Sequence, residues 1–251
     1  PAMIEMLRDR DQQPLRQMVP WAGEFVGKYL TGAVECLRLT GDAELERVIR
    51  EVVEELLSCQ DADGYAGPWP HDSRLTNWAP NGGWTWDTWG HYHVMLGLLL
   101  WHEEKHDPRA LQAAMWIGDA ICRKYLGDVQ PRLVDRGSTE MNLAPAHSLA
   151  LLYHKTGEAR YVEMAKQLAE EFSARTPEGA WLAGNWLEGT LAGREFWQLP
   201  KPRWESLHPI MALPELTYVT GDARYRTAFE KLWESMRAGD RHNNGGWSAG
   251  E

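Results

Sequence analysis

One short pattern recurs along the chain and limits what it can fold into. Leu39-Thr40-Gly41-Asp42-Ala43-Glu44-Leu45 returns as Lys155-Thr156-Gly157-Glu158-Ala159-Arg160-Tyr161 and as Val219-Thr220-Gly221-Asp222-Ala223-Arg224-Tyr225. Lys105-His106-Asp107-Pro108-Arg109-Ala110-Leu111 is a weaker copy. Gly41 and Gly157 lie 116 residues apart, two units of 58, and Gly157 and Gly221 lie 64 apart. A period of this size marks a repeated supersecondary unit. Gly supplies the left-handed conformation that ends one helix, and Asp, Glu or Pro opens the next.

The segment after each turn is amphipathic at helical spacing: Leu45, Val48, Ile49, Val52 and Leu56 in the first, Tyr161, Met164, Ala165, Leu168 and Phe172 in the third. One apolar stripe with a wet face predicts outer helices. The segments before the turns, 94–101, 143–153 and 207–219, are apolar nearly all round and predict inner helices. Pro209 and Pro214 are expected to kink the last of them. The implied architecture is all-α, an α/α toroid of helical hairpins. Four hairpins are present where a closed six-hairpin barrel needs about 360 residues at roughly 60 per unit. Residues 1–251 therefore read as one incomplete toroid domain, whose open side predicts self-association through exposed apolar surface.

The connections 60–85, 127–139, 175–203 and 238–251 are long and aperiodic, and all lead into inner helices at one mouth of the expected toroid. Long loops in a compact domain are usually functional. Ten of the 14 tryptophans (69, 78, 84, 86, 89, 181, 186, 197, 204 and 247) lie in or beside them, so the mouth is where a ligand is expected. A net charge of −10 argues against nucleic acid and anionic membranes as partners. The longest apolar run, 94–101, is far too short to span a bilayer. Cys36, Cys59 and Cys122 are widely spaced and form no metal or disulfide motif. No HExxH, GxSxG, Walker A or GxGxxG pattern occurs, so no metal site or cofactor is expected from this chain's own motifs. Localisation is left open.

Polar groups at the mouth are the candidates for chemistry. Asp87 and His91 are one helical turn apart and share a face, where they can orient each other, or form an N-terminal acid beside a core histidine. Glu140 follows Ser138-Thr139 and reads first as part of a cap. His147 and His93 read as core histidines. Glu205 and His208 are three apart and share a face, as site residues or as a cap and a buried histidine.

Four motifs in order, Gly27-Lys28-Tyr29-Leu30, Gln60-Asp61-Ala62-Asp63-Gly64-Tyr65, Trp86-Asp87-Thr88-Trp89-Gly90-His91-Tyr92 and Arg241-His242-Asn243-Asn244-Gly245-Gly246-Trp247-Ser248-Ala249-Gly250-Glu251, resemble the β-L-arabinofuranosidases of glycoside hydrolase family 127. The resemblance runs along essentially the whole chain, and its last motif is the most specific. It implies a glycoside hydrolase acting on furanosidic sugars, with carbohydrate as the partner and Glu251 as general acid/base. It also implies zinc and a cysteine nucleophile from a downstream Glu-x-Cys motif and paired cysteines, which these 251 residues do not contain. On that reading Trp86, Asp87, His91, Asn142, Glu205 and His208 form the sugar-contacting surface. Two other readings remain open: an unsaturated-uronyl hydrolase or sugar epimerase on the same toroid, and a non-catalytic toroid fragment that only binds carbohydrate.

Overall fold

The computed structural model describes residues 2–246. In chain order the helices are α1 (Ala2–Arg8), α2 (Phe25–Thr40), α3 (Ala43–Cys59), α4 (Asp87–Lys105), α5 (Pro108–Tyr125), α6 (Thr139–Asn142), α7 (Pro145–Thr156), α8 (Ala159–Glu171), α9 (Glu188–Leu191), α10 (Leu207–Ile210), α11 (Ala212–Thr220) and α12 (Ala223–Ser235). The chain divides into two compact units, Pro1–Lys124 and Tyr125–Glu251. The first holds the hairpins α2/α3 and α4/α5. The second holds α7/α8 and α11/α12, with α6 and α10 as short lead-in turns.

The recurrent Thr-Gly-Asp/Glu turn is a hydrogen-bonding device. Gly41, Gly157 and Gly221 adopt φ of 63°, 70° and 70°. Their N–H groups donate back to Leu37, Tyr153 and Thr217 at 2.8, 2.8 and 2.9 Å, satisfying carbonyls that a helix end leaves open. The preceding threonines work in both directions. Thr40, Thr156 and Thr220 donate their hydroxyls to Cys36, Leu152 and Leu216 at 2.9, 2.9 and 2.6 Å. The same oxygens accept the N–H groups of Asp42, Glu158 and Asp222 at 3.3, 3.3 and 3.1 Å. Asp42 and Asp222 then cap the next helix through Leu45 and Arg224. In the weaker copy His106 takes the left-handed conformation at φ 54°. There a different bond spans the turn, the His102 ring Nδ1 donating to the Asp107 carbonyl at 2.8 Å.

Burial follows the predicted division of labour. α4 is enclosed along almost its whole length, including Trp89, Val94, Met95, Leu98 and Trp101, whereas α3 and α8 bury one stripe each. α2 lies against α4, and glycines make the approach close. A Cβ on Gly27 would sit 2.2 Å from the His93 carbonyl carbon, and one on Gly97 would sit 3.0 Å from the Gly27 carbonyl oxygen. Gly90 meets the Gly23 backbone at 3.0 Å in the same way. At Gly27 no larger residue fits unless the backbone of α4 moves.

Two inner helices depart from the expected continuous form. The 207–219 segment is interrupted at Met211, giving α10 and α11. The interruption places Pro214 in the first turn of α11, where its missing N–H has no helical partner to lose. The 143–153 segment begins afresh at Pro145, the first residue of α7, after the separate turn α6. α11 buries Ala212, Leu213 and Leu216 but leaves Tyr218 79 % exposed. No helix among the described residues is long and apolar enough to cross a membrane.

The glycine contact gives a paired prediction. Gly27→Ala should lower the unfolding free energy by about 3 kcal/mol, the upper range for overpacking, because only backbone can yield. Gly32→Ala, on the open side of α2 with nothing within 4 Å of its Cβ, should raise it by about 0.5–1 kcal/mol. Urea midpoints of the two variants read the difference directly.

Candidate functional site

In the first unit the polar centre is built on the start of α4. Asp87 is sealed from solvent at 1 % exposure. Its carboxylate accepts the Tyr65 hydroxyl at 3.0 and 3.1 Å and the Leu75 N–H at 2.7 Å. The Tyr65 oxygen in turn accepts the Trp69 N–H at 3.0 Å. Burial, and then the adjoining Asp87 charge, push the Tyr65 hydroxyl well above the ordinary phenol range, so it stays a donor. His91 Nε2 accepts the Ala66 N–H at 3.1 Å, which leaves Nδ1 as the protonated nitrogen donating to the Asp87 carbonyl at 2.8 Å. Asp87 and His91 are thus brought together as their spacing predicts. Both rings of contacts point at protein groups, and together they suspend the loop 65–75.

The Gln60–Tyr65 motif closes the turn that enters this loop. Asp61 N–H donates to Tyr65 O at 3.0 Å and Gly64 N–H to Asp61 O at 2.9 Å. Gln60 Nε2 ties the turn to Gly64 O and Ala113 O at 3.1 and 3.0 Å. Gly64 sits at φ 90° with the Trp116 carbonyl oxygen 2.2 Å from where a Cβ would be. The same two backbone bonds recur at Thr176–Ala180, at 2.8 and 2.9 Å, and at His242–Gly246, again at 2.8 and 2.9 Å. Gly179 and Gly245 occupy the Gly64 position at φ 91° and 84°. This second repeat follows an outer helix each time, and its one sequence signal is an acid or amide before the glycine: Asp63-Gly64, Glu178-Gly179 and Asn244-Gly245. It shows that 242–246 of the last family motif is a formed turn. Glu251 lies outside the described residues.

The expected aromatic mouth separates into two populations. Trp69, Trp89 and Trp186 are core residues, whereas Trp78, Trp84, Trp197 and Trp204 are 45, 46, 58 and 39 % exposed. Trp86 is half-buried and packs on Trp21 at 5.2 Å between ring centres. Trp21 was not among the predicted mouth residues, since it precedes the first hairpin.

In the second unit, α6 and α7 pack with α10 and the turn Trp204–Ser206. This brings two acids together with two cations. Glu140 receives Lys201 Nζ at 2.7 Å and lies 3.6 Å from the Arg203 guanidinium. Arg203 also pairs with Glu205 at 3.0 Å. The chain Lys201–Glu140–Arg203–Glu205 alternates in sign, so the buried carboxylates Glu140 and Glu205 are each compensated. The expected cap is absent: Ser138 takes a left-handed backbone and makes no side-chain cap. Glu140 is instead part of this cluster. Lys201 and Arg203 were missed, and their only sequence signal is the Lys-Pro-Arg-Trp-Glu run just before the inner helix.

Asn142 is fully buried and its Nδ2 donates to Gly137 O at 3.1 Å. His208 is half-buried, edge-on to Trp204 at 5.4 Å. His147 is buried, and burial followed by the neighbouring His208 charge pushes its pKa down to about 4. Of the six predicted contact residues, then, Trp86 and His208 keep open surface, and Asp87, His91, Asn142 and Glu205 are enclosed.

The donors present do not fit the zinc implied by the resemblance. Among the described residues no three His, Cys, Asp or Glu side chains gather in a metal-holding group. Cys36 is exposed on α2, and Cys59 and Cys122 are buried free thiols.

A family model, the catalytic domain of GH127 β-L-arabinofuranosidases, matches residues 5–251. The chain belongs to this family of glycoside hydrolases. Among solved structures, a GH127 β-L-arabinofuranosidase from Geobacillus stearothermophilus T6 is similar with a TM-score of 0.69 at 18 % identity, over 98 % of this chain and 41 % of that one. A second GH127 β-arabinofuranosidase gives 0.67 at 18 % identity, over 100 % and 41 %. A D-mannose isomerase gives 0.58 at 15 % identity, over 90 % and 63 %. These likenesses establish the all-α, α/α-toroid class of helical hairpins. The chain spans 41 % of the length of the two arabinofuranosidases. No curated protein sequence matches it.

The His147 shift has a measurable consequence. The unfolded histidine takes a proton near pH 6.5 and the folded one near 4. Stability should therefore fall as pH drops through that window, by on the order of 3 kcal/mol, and level off below it. His147→Gln should flatten this part of the curve. Denaturant unfolding of both proteins at pH 7, 5.5 and 4.5 checks it.

Proposed function

We propose that the protein is a glycosidase that cleaves furanosidic residues, of the β-L-arabinofuranoside type, from plant or bacterial glycans. The observation that carries this reading is the family match over residues 5–251, which includes the tail motif ending on Glu251. Glu251 is the proposed general acid/base: it protonates the departing glycosidic oxygen and then takes a proton from the attacking water. The alternation of fixed cations and carboxylates in the second unit suits recognition of sugar hydroxyls, which both donate and accept. Half-buried His208 and exposed Trp204 are the ring groups there with surface open to a ligand. In the first unit Trp86, backed by Trp21, offers an apolar ring face of the kind that sugar C–H faces cover. Asp87 and His91 serve behind it, holding the loop. The three cysteines of this chain supply neither nucleophile nor metal ligand in this reading, and no step is assigned to them.

A second reading draws on the neighbouring His147 and His208. A histidine pair on an α/α toroid suits proton transfer at a sugar carbon, as in isomerisation or epimerisation. The two readings part on substrate: one requires a glycosidic bond and the other a free reducing sugar.

The full-length protein should hydrolyse 4-nitrophenyl β-L-arabinofuranoside, and Glu251→Gln should reduce kcat by 10²- to 10⁴-fold, the usual contribution of a positioned acid/base. Loss should be greater for an alkyl arabinofuranoside, whose leaving group needs the proton more. Conversion of mannose to fructose with no glycoside cleavage would favour the second reading.

A further inference from the structure

In chain order, between the loop 65–75 and the start of α4, the first unit carries a short hairpin, residues 77–85. Trp78 and Trp84 form its antiparallel bridge. To one side the Thr85 N–H donates to Asn77 O at 2.8 Å, and to the other the Ala79 N–H donates to Gly83 O at 3.0 Å. The bridged pair therefore exchanges no backbone bond of its own, the position at which facing side chains come closest. Its two rings meet edge to face, with centres 4.8 Å apart and planes at 83°. At the tip the Gly82 N–H closes the turn on Ala79 O at 3.0 Å. At the base Asn77 is fully buried: its Oδ1 accepts the Thr88 N–H at 3.0 Å and its Nδ2 donates to the Thr88 hydroxyl at 3.2 Å. The hairpin is thus fastened to the first turn of α4.

Burial alternates along both strands. Asn77, Ala79 and Thr85 are buried, whereas Trp78 and Trp84 are exposed and Trp86 is half-buried. Alternation of this kind puts the three tryptophans on one side of the hairpin. Trp78 and Trp84 close the hairpin with one edge-to-face contact, yet each stays almost half open to solvent. Flat apolar surface is left over on a fixed support. No residue from 75 to 86 is charged, in a chain where a quarter of the residues are. The polar side chains of this stretch are amides and hydroxyls, with Asn81 exposed at the tip. A contiguous aromatic patch flanked by polar groups marks a binding surface. Without a charge on the hairpin, the ligand that suits it is neutral, with apolar C–H faces for the rings and hydroxyls at its edges.

We propose that this hairpin is a further subsite, which binds a neutral sugar residue of the substrate beyond the one set against Trp86. The open faces of Trp78 and Trp84 cover the C–H faces of that sugar. The bridge holds both rings in place before the ligand arrives, so little side-chain freedom is lost on binding. The inference rests on the function proposed above and extends it: the substrate is a neutral oligosaccharide, gripped on more than the residue that is released.

Calorimetric titration of the full-length protein carrying Glu251→Gln, which leaves the ligand uncut, tests the subsite. The probes are neutral tetrasaccharides of L-arabinofuranose, D-galactose and D-xylose, the three monosaccharides, and tetragalacturonate. At least one neutral tetrasaccharide should bind about 10-fold or more tighter than both its monosaccharide and tetragalacturonate. Trp78→Ala and Trp84→Ala should each weaken that binding about 10-fold, whereas Trp84→Tyr, which keeps a flat ring, should stay within about 3-fold. The indole proton resonances of Trp78 and Trp84 should move on adding the tetrasaccharide. No neutral tetrasaccharide binding more tightly than its monosaccharide, equal binding of tetragalacturonate, unmoved indole resonances, unchanged affinity in both alanine variants, or the same loss in Trp84→Tyr as in Trp84→Ala would overturn the proposal. Hydrolysis of the nitrophenyl arabinofuranoside is read separately on the wild-type protein. Cleavage without tetrasaccharide binding removes the hairpin subsite alone, and tetrasaccharide binding without cleavage removes the glycosidase reading alone.

Discussion

A carboxylate closed off from water has to be given donors by the protein, and Asp87 obtains them from a single loop. The Tyr65 hydroxyl and the Leu75 N–H both point at it, and Tyr65 passes the connection on to the Trp69 N–H. His91, one turn further along α4, takes the Ala66 N–H. Four points of the segment are thereby fixed to one helix start. The positions of Trp69 and the prolines beside it follow from these bonds. Leaving any of these buried groups unpaired costs about 1–3 kcal/mol, so the loop and the helix start stand or fall together.

Around that centre the hairpins are set by simple rules. The Thr-Gly-Asp turns dock the end of one helix to the start of the next through bonds local in sequence. The long-range constraint in the first unit is the backbone contact of Gly27 with α4, which explains why the Gly27–Leu30 motif needs glycine in a helix interior despite its poor propensity. In the second unit the corresponding constraint is electrostatic: Glu140 and Glu205 can be buried because Lys201 and Arg203 reach them.

The hairpin plan was readable because helix periodicity and left-handed caps are local properties. Gly41, Gly157 and Gly221 announced their turns, and even His106 did so through the Asp-Pro that follows it. The division of inner from outer helices was legible in the same way. The breaks at Met211 and before Pro145 were less so, since proline marks a disturbance without saying where the chain will relieve it. At the site, the i, i+4 spacing of Asp87 and His91 gave their pairing but not the loop they hold, because Tyr65, Ala66 and Leu75 come from outside the helix. Glu140 was read as a cap for want of its partners, which lie 61 and 63 residues further along. Ion pairs across such a distance leave no periodic trace. The family motifs were legible as motifs, and the structure adds that Gln60–Tyr65 and 242–246 are two instances of one turn.

Side-chain acceptors order the loop 65–75, and amide hydrogen exchange reads that directly. Ala66, Trp69 and Leu75 have N–H groups accepted by the side chains of His91, Tyr65 and Asp87. In the native protein these three amides should exchange as slowly as those inside α4. In Tyr65→Phe the Trp69 amide should lose its protection while the interior of α4 keeps its own. Fast exchange at all three positions in the native protein, or an unchanged Trp69 amide in the variant, would contradict the role given to Asp87 and its partners.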